Sequence, residues 1–429
     1  MKNEKAKSEN LKFESTLEFA RQLDEKDPLR SFREKFIIPT HNGREQIYFL
    51  GNSLGLQPKS ARGAINEILD QWSQLGVEGF FLGEKPWYHY HDLISKPLAN
   101  IVGAKPSEVV AMNQLTVNLH LMMASFYRPS GKRKKILCEV KAFPSDQYML
   151  ESFCKFIGKD PDEIIIEISP RKNEQLTRRE DILKKIEQHK DELALVFWSG
   201  VNYYTGQVFD VESITKAAHE IGATAGFDLA HAAGNIPLQL HAWNVDFACW
   251  CSYKYLNSGP GGIGNAFIHE RFHTDTSLNR LAGWWGFDKD TRFRMEKGFK
   301  PIQSAEGWQL STPSIMLYAA HKSALEIFEE AGMERLRTKS KLLSGYLFFL
   351  LQGLDIEILT PTVEDERGCQ LSMLMKKNGK LIFKKLSEAG IFADWREPDV
   401  IRIAPVPLYN TFEEVFTFAS LVRSFLIFS

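Results

Sequence analysis

The chain has 429 residues, 44% apolar and 25% charged, with a formal charge of −1 at pH 7. That length supports more than one domain and a large core, and the composition is that of an ordinary soluble globular protein. Charge this balanced supplies no long-range field for nucleic acid or an anionic membrane.

The N-terminus, Met1-Lys2-Asn3-Glu4-Lys5, is charged and lacks the apolar centre of a signal peptide. Asn113-Gln114-Leu115-Thr116 precedes a helical run over 117–127, with Thr116 in position to cap it. Such a start is either a plain cap or a set of backbone amides offered to a phosphate. The basic run Lys132-Arg133-Lys134-Lys135 sits before an apolar strand, 136–140, and reads as a solvated loop. Phe143-Pro144-Ser145-Asp146 then opens a helix that Ser145 or Asp146 would cap, and Phe143 is either core or a ring stacked on a cofactor.

Further apolar strands follow at 164–168, 193–198 and 224–227, separated by helical stretches. This alternation predicts a mostly parallel sheet covered on both faces, with its ligand outside the carboxyl ends of the strands. Ser199-Gly200 falls there, and so does Asp228 in Phe227-Asp228-Leu229-Ala230-His231. The next apolar run, 245–249, leads into Trp250-Cys251-Ser252-Tyr253-Lys254-Tyr255-Leu256-Asn257 and then Ser258-Gly259-Pro260-Gly261-Gly262. A lysine at a buried strand end is costly unless it is paired or reacts as an amine, and the glycines behind it permit close backbone approach. Asp228 is either an N-cap for Leu229 onward or the partner of Lys254. An acid and a lysine on successive strand ends are what pyridoxal phosphate (PLP) requires: the lysine forms the Schiff base and the carboxylate keeps the pyridinium protonated. His231 is either a satisfied core histidine or a ring contact backing Asp228.

A long helical region, 314–352, leads to a smaller α+β pattern. Strands are expected at 356–359, 370–375 and Val400–Ile403, with helices over 380–389 and 411–428. The longest apolar run, 346–351, is far too short to span a bilayer. Arg402 is either a solvated residue on a half-exposed strand or a bidentate clamp for a substrate carboxylate. The expected division is an N-terminal segment, 1–50, packing with the small domain, a large cofactor-binding domain, 51–313, and the small domain, 314–429. The five cysteines, Cys138, Cys154, Cys249, Cys251 and Cys369, form no CxxC pair and have no matching Cys/His pair for zinc. They read as reduced thiols of a cytoplasmic protein without a metal site.

Together these segments resemble kynureninase, a homodimeric PLP family of fold type I (aspartate aminotransferase-like), over nearly the whole chain. The resemblance is carried by Gly51-Asn52-Ser53-Leu54-Gly55, Leu115-Thr116-Val117-Asn118-Leu119-His120, Ala142-Phe143-Pro144-Ser145-Asp146 and Tyr203-Tyr204-Thr205-Gly206-Gln207. It continues through 227–234 and 245–256 and closes with Arg402-Ile403-Ala404-Pro405-Val406-Pro407-Leu408-Tyr409-Asn410.

The resemblance implies an α/β fold: a large domain with a mostly parallel, seven-stranded-type sheet covered by helices, and a smaller α+β C-terminal domain. It implies that Lys254 forms the Schiff base and that Asp228 holds the pyridinium, with His231 beside it. Phe143 would stack on the ring, and Leu115, Thr116, Pro144, Ser145, Asp146 and Ser199 would line the cofactor. Tyr253 would hold the phosphate and donate a proton. Trp284, in Gly283-Trp284-Trp285-Gly286, and Thr312, in Ser311-Thr312-Pro313, would reach the phosphate from the neighbouring subunit of a shared active site. Arg402 would bind the substrate carboxylate, with Ser53 also on the substrate.

The implied reaction is hydrolytic Cβ–Cγ cleavage of L-kynurenine to anthranilate and L-alanine in tryptophan catabolism. Some members carry Asn where this chain has Thr312. Animal-type members place a His near the substrate ring where Val77 stands, which leans this chain toward L-kynurenine over its 3-hydroxylated form. The rival expectations are a cysteine desulfurase-like lyase using Cys369 as a mobile nucleophile, and a PLP-fold dimer that has lost catalysis.

Overall fold

The computed structural model describes residues 12–427. The segment Met1 to Lys5 and residue 428 of the expected last helix lie outside that range. Seven strands build the central sheet: β1 Val109–Ala111, β2 Lys135–Glu139, β3 Ile165–Ile168, β4 Leu193–Ser199, β5 Thr224–Asp228, β6 Phe247–Cys251 and β7 Gly264–Ile268. They lie side by side in the order β1-β7-β6-β5-β4-β2-β3. Strands β2 to β6 are parallel, while β7 is antiparallel to both its neighbours.

Successive residues of a strand point to opposite faces, and here both faces are buried. Leu137, Val196, Trp198, Phe227 and Trp250 join one apolar cluster; Ile136, Cys138, Leu195, Phe197 and Cys249 join the other. That two-sided burial makes the strands read as unbroken apolar runs.

Two strands, β1 and β7, escape the sequence. The first is short, and the second begins on Gly264, straight after the glycine-rich turn. The expected strand at 245–249 moves on by two residues, to Phe247–Cys251. Asp246 is engaged elsewhere: its carboxylate accepts the Ala225 N–H at 2.6 Å and pairs with His219 at 2.8 Å and with Arg271. The helical region 314–352 is two helices, Ile315–Ala331 and Met333–Leu351, broken at Gly332, whose φ is +75°.

A second, antiparallel sheet comprises β8 Ile356–Ile358, β9 Leu371–Met375, β10 Asp394–Arg396 and β11 Val400–Ile403, in the order β8-β9-β11-β10. It packs with helices Met333–Leu351, Gly379–Glu388 and Phe412–Ile427 around its own apolar cluster. The chain start joins this layer. Ile47–Tyr48 pairs in parallel with Ile391–Phe392. Asp24, in helix Leu17–Glu25, accepts the Phe412 and Glu413 N–H groups at 2.7 and 2.9 Å, satisfying the open first turn of helix Phe412–Ile427. Among the described residues, no helix is long and apolar enough to cross a membrane.

Candidate active site

Strands β2, β4, β5 and β6 end at Glu139, Ser199, Asp228 and Cys251. Because they are parallel, these carboxyl ends share one edge of the sheet, where ligands of open α/β sheets bind. Register sets Asp228 opposite Ser199 on one side and Cys249 on the other. The chain leaves β6 through Ser252 and Tyr253 to Lys254. Asn257, at φ 56°, closes that turn by donating its N–H to the Lys254 carbonyl at 3.1 Å. Ser252 Oγ donates to the Ile263 carbonyl at 2.5 Å, tying the turn to the far end of the glycine loop. Gly55 lies against it: its N–H donates to the Tyr253 carbonyl at 2.8 Å, and a Cβ there would stand 2.9 Å from Asn257 Cα.

A cavity of about 140 Å³ opens over this edge. Leu115, Thr116, Phe143, Ser145, Asp146, Ser199, Asp228, His231, Tyr253 and Lys254 all line it. Pro144 is the first residue of helix Pro144–Phe156, between two of these. Lys254 is buried, with Nζ 5.4 Å from the centre of the Phe143 ring. Ser53, Trp284, Thr312 and Arg402 are not on the lining. Trp284 is 43% exposed and Thr312 is also exposed.

The expected caps are corrected. Helix Leu115–Phe126 starts two residues early, with Gln114 at the N-cap and no side-chain cap. Thr116 therefore lies inside the first turn, where its hydroxyl cannot cap. The first-turn amides lack intrahelical partners, and they open toward the cavity that Leu115 and Thr116 line. At helix Pro144–Phe156 the N-cap is Phe143, again without a side-chain bond, so neither Ser145 nor Asp146 caps it. Asp228 does accept a local bond, from the Ala230 N–H at 2.7 Å, but the chain after it is a run of turns.

Asp146 and Asp228 form a buried carboxyl pair. Burial pushes both upward from the ordinary carboxyl range; the charge of Asp228 pushes Asp146 further, while Lys254 pulls Asp228 back. Two buried carboxyls raised together favour one proton between them, and Lys254 draws the negative charge toward Asp228. Burial, reinforced by Lys254, also holds His231 well below the usual histidine range, so its ring is neutral. Burial raises the Tyr253 hydroxyl, aided by Cys251, so it is a protonated donor.

Arg402 departs from the half-exposed strand position expected of it. β11 is flanked by β9 and β10, and the side chain is 1% exposed. Its Nε donates to Asp394 Oδ2 at 2.5 Å, Nη2 donates to the same oxygen, and Nη1 donates to the Tyr203 carbonyl. Burial lowers its pKa and Asp394 raises it back. Tyr203 itself lines the cavity, its ring edge-on to Phe143 at 5.2 Å. Arg402 is thus one residue removed from the cavity wall. Ser53, half-buried, donates its N–H to Leu50, which bridges to Ala404 just beyond Arg402.

Sequence reasoning did not single out five lining residues: Gln114, Glu139, Val201, Tyr203 and Ala230. Glu139 reads as one more residue of an apolar strand, and only its position at a carboxyl end signals the site. Burial pushes it up to about 7, against hydrogen bonds from Asn202 and Ser199 that lower it.

Cys369 is 1% exposed, its N–H is fixed to Asn235 Oδ1 at 3.0 Å, and burial pushes its thiol up to about 12. It is neither mobile nor ionised, as a sulfur-accepting nucleophile must be. A separate cluster joins Glu108, His241 and His269. Its carboxylate is already taken by the Lys105 and Glu270 N–H groups and His241, each at 2.9 Å.

The lining suits a flat aromatic cofactor with an anionic tail. It offers an amine, an aromatic wall, a carboxylate held by a second carboxyl and an uncapped helix start. Two buried atoms of the lining residues, His231 Nδ1 and Asp146 Oδ1, meet no partner.

The kynureninase C-terminal domain model matches residues 336–422. Kynureninase of Flavobacterium psychrophilum is 54% identical over 417 residues, covering 96% of this chain and 98% of that one. The Christiangramia forsetii and Myxococcus xanthus kynureninases are each 52% identical, over 96% of this chain and 99% and 97% of theirs. Solved structures share the fold at low identity. An apo cysteine desulfurase from Thermococcus onnurineus superposes with TM-score 0.75 at 19% identity, over 90% of this chain and 95% of that one. The cystine C–S lyase C-DES with cysteine persulfide gives 0.73 at 19%, over 88% and 97%. With half of its residues identical to those of kynureninases over nearly the full length of both chains, the protein belongs to the kynureninase family.

Proposed function

We propose that this chain is a PLP-dependent hydrolase that cleaves the Cβ–Cγ bond of L-kynurenine, giving anthranilate and L-alanine in tryptophan catabolism. The observation that carries it is Lys254 and Asp228 on adjacent strand ends of one cavity walled by Phe143. Bound in that cavity, PLP supplies an electron sink for negative charge at the substrate α-carbon.

The chain's own residues do the rest. Lys254 is the amine that would anchor the cofactor and, as a free amine, would take the substrate α-proton. Asp228, its charge maintained by the proton on Asp146, keeps the ring nitrogen protonated. Amides at the start of helix Leu115–Phe126, with Thr116 and Ser145, receive the phosphate, and Tyr253 adds a hydroxyl there. Pro144 fixes φ at the start of the helix carrying Ser145 and Asp146. Arg402 binds the substrate carboxylate near Ser53, and Tyr253 relays protons during cleavage. Water adds to the γ-carbonyl; breakage of Cβ–Cγ releases anthranilate, and protonation of the remaining three-carbon unit gives alanine.

The division into 1–50, 51–313 and 314–429 belongs to this proposal, supported by the separate apolar cluster of the four-stranded layer. So does a homodimer. Phe81, 51% exposed, and Phe293, 53% exposed, lie 5.9 Å apart, and Trp284 meets Phe293 at 5.4 Å. A second copy covering this aromatic patch would carry Trp284, with Thr312, to the partner's phosphate. Five buried, unpaired cysteines accord with a cytoplasmic setting. Val77, standing where animal-type members place a His, leans this reading toward L-kynurenine as the preferred substrate.

The test is anthranilate fluorescence after mixing PLP-loaded protein with L-kynurenine, run beside Lys254→Ala. Release by the parent and loss of at least a thousandfold in a folded variant are expected. Steady-state turnover by purified Lys254→Ala would end the assignment.

A further inference from the structure

Glu139 has both carboxylate oxygens engaged and none of its partners is a cation. Oε2 accepts from Ser199 Oγ at 3.0 Å and Oε1 from Asn202 Nδ2 at 2.8 Å. The first partner lines the cofactor cavity. The second shapes a turn: Asn202 Oδ1 accepts the Tyr204 and Thr205 N–H groups at 2.9 and 2.8 Å and the Thr205 hydroxyl at 3.1 Å. Gly206, at φ +76°, closes the turn by donating to the Asn202 carbonyl at 2.9 Å.

The turn presents three successive carbonyls to the four-stranded layer. That of Tyr203 receives Arg402 Nη1 and, at 3.0 Å, Gln370 Nε2. That of Tyr204 receives Ser372 Oγ at 2.5 Å, and that of Thr205 receives Thr360 Oγ1 at 2.6 Å. Asp394 holds the Nε–Nη2 edge of Arg402, so the Tyr203 carbonyl is the contact that fixes the other arm of the guanidinium. The planar fork of an arginine works only when its orientation is fixed.

We propose that Glu139 is a positioning residue that couples the two halves of the site, holding Ser199 at the cofactor and, through Asn202 and the Tyr203 carbonyl, aiming Arg402 at the substrate carboxylate. Glu139 stands in the cavity wall, and the role assigned to it runs through Ser199 and Asn202. The inference rests on the assignment of Arg402 to the substrate carboxylate. A carboxylate buried without a cation is costly to keep, and here its two bonds serve two different ligands.

The experiment compares Glu139→Gln, Asn202→Ala, their double variant and Arg402→Lys. Each is measured for L-kynurenine KM and kcat as holoenzyme, and for PLP affinity by absorbance titration of the apoprotein. A hydrogen bond to a charged group is worth about 1.5–3 kcal/mol, or roughly tenfold or more in affinity. Glu139→Gln, which leaves one of the two donors facing an amide N–H, is expected to raise KM about tenfold with kcat within about threefold, and to weaken PLP binding as well. Asn202→Ala is expected to raise KM similarly while PLP affinity stays within about twofold. The double variant is expected to match the larger single effect on KM, because both act through one chain of contacts.

KM effects that multiply, or a Glu139→Gln that weakens PLP alone, would overturn the coupling. If Arg402→Lys raises KM while Glu139→Gln and Asn202→Ala leave it alone, the coupling fails and the Arg402 assignment stands. If Arg402→Lys leaves KM unchanged, both fall together.

Discussion

His321 lies in helix Ile315–Ala331 with none of its surface exposed, Nε2 facing Asn265 Oδ1 at 3.2 Å and Nδ1 without a partner. Burial pushes its pKa down to about 3. The unfolded chain binds this proton below about pH 6.5 while the folded chain does not, so the stability it permits at neutral pH is lost as pH falls from 6.5 toward 3. Urea denaturation of the parent should weaken by on the order of a few kcal/mol across that window, and His321→Gln should flatten the acid limb. An unchanged acid limb would contradict the assignment. At this scale the sequence was most legible where a residue stands at a strand end with a chemical signature. Lys254 and Asp228 are of that kind, because neither is at ease in a buried sheet without a partner. Glu139 and Tyr203 were illegible for the opposite reason: one closes a strand that reads as core, and the other acts through its backbone carbonyl, which no side-chain pattern reports. The proton shared by Asp146 and Asp228 also needs three-dimensional proximity, since the two lie in different segments of the chain.

Among elements, β7 has a particular bearing on the site. A Cβ on Gly264 would stand 2.9 Å from the Gln114 carbonyl carbon and 3.0 Å from the Leu115 nitrogen. Those atoms belong to the start of helix Leu115–Phe126, assigned to the phosphate. Gly264→Ala must therefore push that backbone, since contacts below 3.4 Å leave no slack in a packed interior. The expected result is PLP affinity weakened about tenfold, with a loss of about 1–3 kcal/mol in stability. Apoprotein titration beside thermal melting checks it, and an affinity equal to the parent's would refute the link. Element boundaries followed the apolar pattern to within two residues for β2 to β6, because burial on both faces leaves little freedom over which residues are strand. Helix starts were less readable. Thr116, Ser145 and Asp146 are good capping residues by type, yet each sits inside its helix because Gln114 and Phe143 take the cap positions; at helix Leu115–Phe126 this leaves the first-turn amides for a ligand.

For the molecule as a whole, the exposed rings of Phe81, Trp284 and Phe293 form a patch unlike the scattered apolar residues of an ordinary surface. If a second copy covers it, Phe293→Asp should halve the mass seen by light scattering at micromolar concentration and loosen PLP, because the residues assigned to the partner's phosphate leave with the partner. A dimeric variant with parental PLP affinity would exclude that patch as the interface. The parallel sheet and the smaller layer were legible from alternating strand and helix runs; within the segment expected to pack with the small domain, the pairing of Ile47–Tyr48 with Ile391–Phe392 rests on two residues and carries no periodic signal. The two layers also divide the site's chemistry between them. Lys254 and Asp228 follow from adjacent strands of one hydrogen-bonded ladder, and Arg402 stands on a separate sheet flanked by Ile401 and Ile403 of its own core. Regions with separate cores open with separate free energies. If Arg402 grips the substrate carboxylate as proposed, inactivation by heat or denaturant and loss of a bound chromophore are distinct events: the grip fails while lysine and aspartate still face one another, leaving a coloured protein that no longer turns over.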